Sequence, residues 1–295
     1  MASRWLPYAR LMRLPAVFTA VSDIAAGYAL TRFADPVPTD FVALVAASCG
    51  LYLSGMVLND VFDRKLDAAE RPERPIPSGD ISVQTASWLG GGLMLAGIAA
   101  AAVVGITSLL IAVGLALAVL VYDGFLKRTA LGPLGMGTCR FLNLMLGSST
   151  AVTVWSLPQL QVAAGLGLYI VGVTWFARQE AQTSNRSQLM AGLGVINLGG
   201  ALLIALMLNW QPNLHPVSAA IGLLAILLII DRRAISAVMT PSPAKVQTAV
   251  KLQLMSYIML NATIVYWASE NSTSAAVTAA LLIPAVFLGR RIRVT

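Results

Sequence analysis

Apolar runs long enough to cross a bilayer follow one another along almost the whole chain, and this constrains the fold more than any motif does. They lie at roughly 14–32, 41–59, 84–103, 106–126, 136–155, 157–178, 188–209, 215–231, 246–267 and 274–289. A spanning helix needs about 20 residues at about 1.5 Å rise each. Inside hydrocarbon the backbone must satisfy its own polar groups, so runs of this length read as helices. Composition agrees: of 295 residues, 57% are hydrophobic and 11% charged, against about 25% charged in a soluble domain. The mean hydropathy is +0.76. The reading is an all-α polytopic membrane protein, a bundle of 9–10 transmembrane helices in a single domain over 1–295. The window 274–289 is an additional tenth span. The tightest connection joins 84–103 to 106–126, which must turn within "GIT".

The start, "MASRWLPYARLMRLP", is basic and amphipathic, and the run after it is long enough to be retained as a span rather than cleaved as a signal. Cys49 and Cys139 sit in apolar stretches without paired spacing, which gives neither a disulfide nor a metal motif. The formal charge of +7 does not point to nucleic acid, because the basic residues fall between the apolar runs. Arg4, Arg10 and Arg13 precede the first run; Arg64, Lys65, Arg71 and Arg74 follow the second. Lys127 and Arg128 follow the fourth, and Arg178 and Arg186 the sixth. Arg232, Arg233, Lys245 and Lys251 lie around the eighth connection, and Arg290, Arg291 and Arg293 close the chain. The opposite connections hold Arg32 and little else. Every even-numbered connection is basic, so the positive-inside rule assigns both termini and these loops to the cytoplasm.

The second run continues into "LNDVFDRKLDAAERPERPIPSG" at 58–79. On a continuing helix Asp60, Asp63 and Asp67 are spaced three and then four, which puts them on one face within about 60° of arc. Asn59 flanks that face. Three stacked carboxylates repel one another unless a cation binds there. Hard oxygen donors of this kind suit Mg²⁺, which takes one or two carboxylates and completes its shell with water and phosphate oxygens. Prolines at 72, 75 and 77 end the helix, and the loop carries Arg71 and Arg74 back over the site. The plain alternative is a solvated helix end with i,i+4 ion pairs such as Asp60 with Arg64.

"NDVFDRKLD" with "RPERPIPSG" resembles the first signature of the UbiA superfamily of intramembrane prenyltransferases, Asn-Asp-x-x-Asp-x-x-x-Asp with a trailing Arg-Pro-x-Pro-Ser-Gly loop. Asn59, Asp60, Asp63 and Asp67 fill all four places. The resemblance covers nearly the whole chain. It implies a bundle of about nine spans around a central cavity open to the cytoplasm, with Mg²⁺ and a prenyl diphosphate bound there. It implies transfer of the prenyl group to an aromatic or other lipophilic acceptor. "RQEA" and "MGTCRFLN" are similar to the EboC (UbiA-like) branch, and so imply a bacterial inner (plasma) membrane. The resemblance also implies diphosphate contacts from Tyr122, Lys127 and Arg128 in "VYDGFLKR", although the Tyr-to-Lys spacing is one residue longer than the common form. The superfamily's second acidic motif falls on "TWFARQEAQTSNR". There Glu180 takes the first metal place, Ser184 stands where a second acid is usual, and Arg178 with Gln179 can bind diphosphate.

Two features inside the spans add to this. Arg140 and Asn143 stand at i and i+3 in an apolar run, where an arginine is costly unless paired, so both are expected to face the cavity with a diphosphate or an acid such as Asp60 as partner. Asp23 is an isolated acid in mid-span; it is expected to orient the acceptor or take its proton, the alternative being a structural hydrogen bond across a helix interface. The expected chemistry is ionisation of an allylic diphosphate, with Asp60, Asp63, Asp67 and Glu180 for metal and Asn59, Arg71, Arg74, Lys127 and Arg140 for diphosphate. A non-catalytic carrier, transporter or scaffold for a lipophilic metabolite is the rival.

Overall fold

The computed structural model describes residues 5–31, 39–178, 184–210, 216–269 and 272–292. Among these residues the regular structure is all helical, without strands. A short α1 (Leu6–Leu11) and a 3-10 turn at Leu14–Ala16 lead into α2 (Val17–Ala29) and α3 (Thr39–Glu70). Then come α4 (Val83–Val104), α5 (Ile106–Gly124), a second 3-10 turn at Leu126–Arg128, α6 (Gly132–Gly147), α7 (Leu157–Ala177) and α8 (Arg186–Asn209). The chain continues through α9 (Pro216–Met239), α10 (Pro243–Ala268), α11 (Ser272–Ala280) and α12 (Leu282–Arg291).

Each of the ten apolar windows coincides at least in part with a helix among the described residues. Among the described residues, 7 helical segments are long and apolar enough to cross a membrane: α3, α4, α5, α7, α8, α10 and the stretch Ser272–Arg291. The first window is shorter, Leu14–Ala29. The apolar part of α9 stops at Asp231, Arg232 and Arg233. Gly105, at φ 155°, makes the one-residue turn between α4 and α5, a conformation open to glycine and strained for other residues.

Two windows differ from their expected shape. The window 136–155 is helical only to Gly147 and begins earlier, at Gly132. At its end the Ser148 hydroxyl donates to the carbonyls of Gly27 (3.0 Å) and Leu144 (3.4 Å), and such serine–backbone bonds compete with helix propagation. The last window is two helices that break at Leu281. Pro284 is the cause, because it lacks the N–H that would bond the carbonyl of Ala280 and its ring crowds that carbonyl.

Each helix from α2 to α10 packs on its successor, and α10 packs back on α2, closing a ring. Within the ring α2 also touches α6. Gly27 and Gly147 permit that approach: a Cβ on Gly27 would fall 2.2 Å from the Leu144 carbonyl oxygen, and one on Gly147 would fall 2.7 Å from that of Ile24. Asp23 and Asn143 each stand one turn before these glycines, so the close crossing brings them face to face. The helices join in sequence with alternating direction, which gathers the basic connections at one end of the bundle. Arg178 there donates to the Thr129 carbonyl (3.0 Å) and Arg186 to that of Met239 (2.6 Å).

Candidate active site

At 32 residues, α3 is about 48 Å long, so it crosses the apolar layer and carries its last turns beyond it. Asn59, Asp60, Asp63 and Asp67 lie on those turns. The chain leaves the helix before Pro72, as a residue ahead of proline is driven out of helical geometry. The loop then doubles back. Ile76 and Ile81 bury themselves with Leu11, Val57 and Ala86, which anchors the loop against α1, α3 and α4 and turns Arg74 inward.

Four cations meet the carboxylate ladder. Arg74 Nη1 donates to Asp67 Oδ2 at 2.8 Å and to Asp60 Oδ1 at 3.4 Å. Arg13 Nη2 reaches the same Asp60 oxygen at 3.1 Å. Lys127 Nζ donates to Asp63 Oδ2 (2.8 Å) and Asn59 Oδ1 (3.0 Å), with Asp123 Oδ1 4.0 Å away. Arg128 Nη2 takes the other Asp63 oxygen at 3.1 Å. Arg64, by contrast, donates to the Val61 carbonyl, so the i,i+4 pair with Asp60 does not form. Arg71 is partly buried beside the ladder and makes no ion pair with it among the described residues.

Arg13 carries more than topology. It is the one described non-glycine residue with positive φ, at 46°. A left-handed residue of this kind costs about 1–3 kcal/mol and persists where its surroundings hold it. Here the turn between α1 and α2 aims the guanidinium at Asp60. Asp123, buried at the end of α5, adds a carboxylate beside Lys127; its i,i+4 spacing to that lysine is the signal that could have found it. Nothing in the local sequence links Arg13 to Asp60.

Next to the ladder a cavity of about 250 Å³ is lined by Tyr122, Lys127, Gly132, Pro133, Thr174, Ala177 and Arg178. Tyr122 packs beneath Gly135, so the longer Tyr-to-Lys spacing still leaves its ring on the cavity wall. Glu180 lies outside the described residues. Ser184 is buried.

Arg140 and Asn143 form a second cluster, deeper in the bundle, and their partner is Asp23 rather than Asp60. Arg140 Nη1 donates to Asp23 Oδ2 at 3.1 Å and Asn143 Nδ2 to the same oxygen at 2.9 Å. Asn261 Nδ2 donates to Asp23 Oδ1 at 3.0 Å. Arg140 Nη2 donates to Thr19 Oγ1 at 2.9 Å, and Ser48 Oγ donates to Asn143 Oδ1 at 2.7 Å. The guanidinium also lies over the rings of Tyr52 and Tyr257, at 5.2 and 5.5 Å. Helices α2, α3, α6 and α10 thus meet around one buried carboxylate.

The rim ladder has the donor chemistry of a divalent-cation and diphosphate site. Its oxygens are hard and on one face, and the cations beside it match phosphate. Among the described residues no three of His, Cys, Asp or Glu are placed to hold a metal ion by themselves, and Asp60, Asp63 and Asp67 are paired with the cations. An open set is what Mg²⁺ favours, since it keeps water and phosphate oxygens in its shell.

The sequence model of the UbiA prenyltransferase family matches residues 20–230. The chain belongs to the UbiA prenyltransferase family. Similar relatives include the digeranylgeranylglyceryl phosphate synthase of Metallosphaera sedula, 33% identical over 142 residues, which are 48% of this chain and 50% of that protein. The synthase of Methanoculleus marisnigri is 41% identical over 88 residues, 30% of this chain and 29% of that one. The chain thus spans about half the length, or less, of these curated relatives. Among solved structures, a UbiA homologue from Aeropyrum pernix K1 without ligand superposes with a TM-score of 0.71 at 19% identity, covering 85% of this chain and 97% of that one. A UbiA homologue from Archaeoglobus fulgidus bound to GPP and Mg²⁺ gives 0.64 at 15% identity, over 88% and 99%. These structures share the UbiA fold with this chain. The relatives speak for the family and not for the EboC-like branch within it.

Proposed function

We propose that this UbiA-family chain is a Mg²⁺-dependent intramembrane prenyltransferase that moves a prenyl group from a prenyl diphosphate to a lipophilic or aromatic acceptor. The observation that carries the reading is the meeting of the one-face ladder Asp60–Asp63–Asp67 with Arg13, Arg74, Lys127 and Arg128 at the end of an apolar bundle. The A. fulgidus homologue with GPP and Mg²⁺ and the synthase names of the relatives support it.

Asp60, Asp63 and Asp67, with Glu180, would hold the metal, whose charge when bound offsets that developing on the leaving diphosphate. Arg13, Arg71, Arg74, Lys127, Arg128 and Arg178 bind diphosphate oxygens, Asn59 orients them, and Tyr122 walls the cavity. The allylic C–O bond breaks with its electron pair going to diphosphate. The acceptor nucleophile forms the new bond and loses a proton. Water is kept from the reacting carbon by the apolar helices. Asp23, Arg140 and Asn143 lie on the acceptor side. The chain works as one domain in the plasma membrane, with its basic end and the site in the cytoplasm.

The test is diphosphate release from geranyl diphosphate by the purified protein. It is expected with Mg²⁺ and absent with a chelator. Asp63→Ala is expected to lower it by about 10²–10³-fold, the scale of losing one preorganised charge contact. Release untouched by Asp63→Ala, or none at all beside transport of the lipid, would hand the chain to the carrier reading.

A further inference from the structure

What the deep cluster leaves open decides what it can bind. Both oxygens of Asp23 are engaged, by Arg140, Asn143 and Asn261. Arg140 is spent on Asp23 and Thr19, with tyrosine rings against it. The two formal charges cancel within the cluster.

The open polar atoms are all neutral and share one helix. On α10, Gln253, Tyr257 and Asn261 recur at every fourth residue and so lie along one face. All three are fully buried. Gln253 Nε2 and Oε1 and Asn261 Oδ1 have no hydrogen-bond partner; the Tyr257 hydroxyl lies beside both Asp23 and Asn261 without a bond of normal geometry to either. Buried polar atoms are nearly always bonded, and an exception calls for an explanation. Several on one face, beside an ion pair, mark a place where another molecule supplies the partners. Their inventory is mixed: the glutamine nitrogen donates, the two amide oxygens accept, and the hydroxyl does either.

One face of α3 runs from the rim to this place. Tyr52 and Asn59 are seven residues apart on α3, hence on one face and about 10 Å apart along the axis. Tyr52, Met56 and Arg140 are partly exposed, so the face that carries Asn59 at the rim leads down to the guanidinium.

We infer that the α10 ladder and the Asp23–Arg140 pair receive the polar end of the acceptor, and that this end is an uncharged hydroxyl-bearing group. The inference rests on the prenyl-transfer reading. A phosphate or carboxylate would have to draw Arg140 off Asp23, leaving a carboxylate unpaired in the membrane interior. A hydroxyl donates to Asn261 Oδ1 and accepts from Tyr257 or Gln253 while the pair stays intact. The relatives are named for a phosphate product; the deep cluster of this chain is electrically closed to such a group.

The test compares two probes, 1-O-dodecylglycerol and its phosphate monoester, by calorimetric binding to the full chain in nanodiscs without metal or donor. The wild type is expected to bind the diol at least about tenfold more tightly, the scale on which sites built from hydrogen bonds discriminate. Tyr257→Phe, close in shape, weakens the diol and leaves the phosphate ester unmoved. Asp23→Asn, which frees the charge of Arg140, shifts the ratio toward the phosphate ester by about tenfold or more. Equal or tighter binding of the phosphate ester by the wild type overturns the inference, as do no diol binding and a ratio that ignores both substitutions. Mg²⁺-dependent diphosphate release is measured on the same preparation. Diol binding as expected without release retires the transfer reading and keeps the neutral site; release with the phosphate ester preferred retires the inference alone.

Discussion

At the scale of single residues, the buried pair of Asp23 and Arg140 shows why charge inside a membrane has to be judged with its partners. Asp23 has no exposed surface, and the Arg140 side chain is 11% exposed. Taking two charges out of water costs several kcal/mol each, and their attraction offsets this only with further hydrogen bonds. Those come from Asn143, Asn261 and Thr19. Removing one partner therefore costs more than removing both. Arg140→Leu is expected to destabilise the fold by about 3–5 kcal/mol, because it strands the carboxylate. The double variant Asp23→Leu, Arg140→Leu should cost clearly less than the sum of the singles, a coupling of about 0.5–3 kcal/mol or above. Reversible unfolding in mixed micelles on the four members of the cycle measures it. Additive costs would mean that the two residues do not share one interaction.

At the scale of elements, helix geometry explains which parts of the site were legible beforehand. The carboxylate ladder follows from a period: three acids spaced three and four on a continuing helix share a face whatever surrounds them. The prolines after it announce the loop for an equally local reason. Partnerships between elements have no such local mark. Arg140 and Asp23 are 117 residues apart, and either could have met the rim instead. Arg13 and Asp60 are 47 apart, and Arg13 reads in sequence as one more positive charge at a membrane end. What joins α2 to α6 is the backbone approach at Gly27 and Gly147, and Gly27→Ala tests it. The new Cβ would lie 2.2 Å from a backbone oxygen, which a side-chain rotation cannot relieve. A loss of about 1–3 kcal/mol is expected in the same micelle unfolding assay. Because Asp23 stands one turn before Gly27, the substitution should also weaken binding of the diol probe. A wild-type unfolding midpoint would show that the two helices do not touch there.

At the scale of the whole molecule, the alternating spans fix where the chemistry can occur relative to the membrane. Legible from hydropathy was the placement of helices, because an apolar layer without water leaves the backbone few alternatives. The ends of α6 and the break at Leu281 were less so, since Ser148 and Pro284 act through individual bonds that an average over a window dilutes. Orientation is then a question of charge. The end that carries Arg64, Lys65, Arg74, Lys127, Arg128, Arg178 and Arg186 should face the cytoplasm, where soluble diphosphate substrates and Mg²⁺ are available. Ser78 is exposed at that end, in the loop after α3, and Val152 is exposed at the opposite end, between α6 and α7. Cys49 on α3 and Cys139 on α6 are free thiols and can be replaced by alanine to clear the background. In that background a membrane-impermeant maleimide is expected to label Val152→Cys in intact cells. Ser78→Cys should react only after the membrane is opened. The reverse pattern would put the carboxylate ladder outside, away from the donor. It would remove the prenyl-transfer reading at its root, because Asp60, Asp63 and Asp67 all lie on α3 and go wherever its end goes.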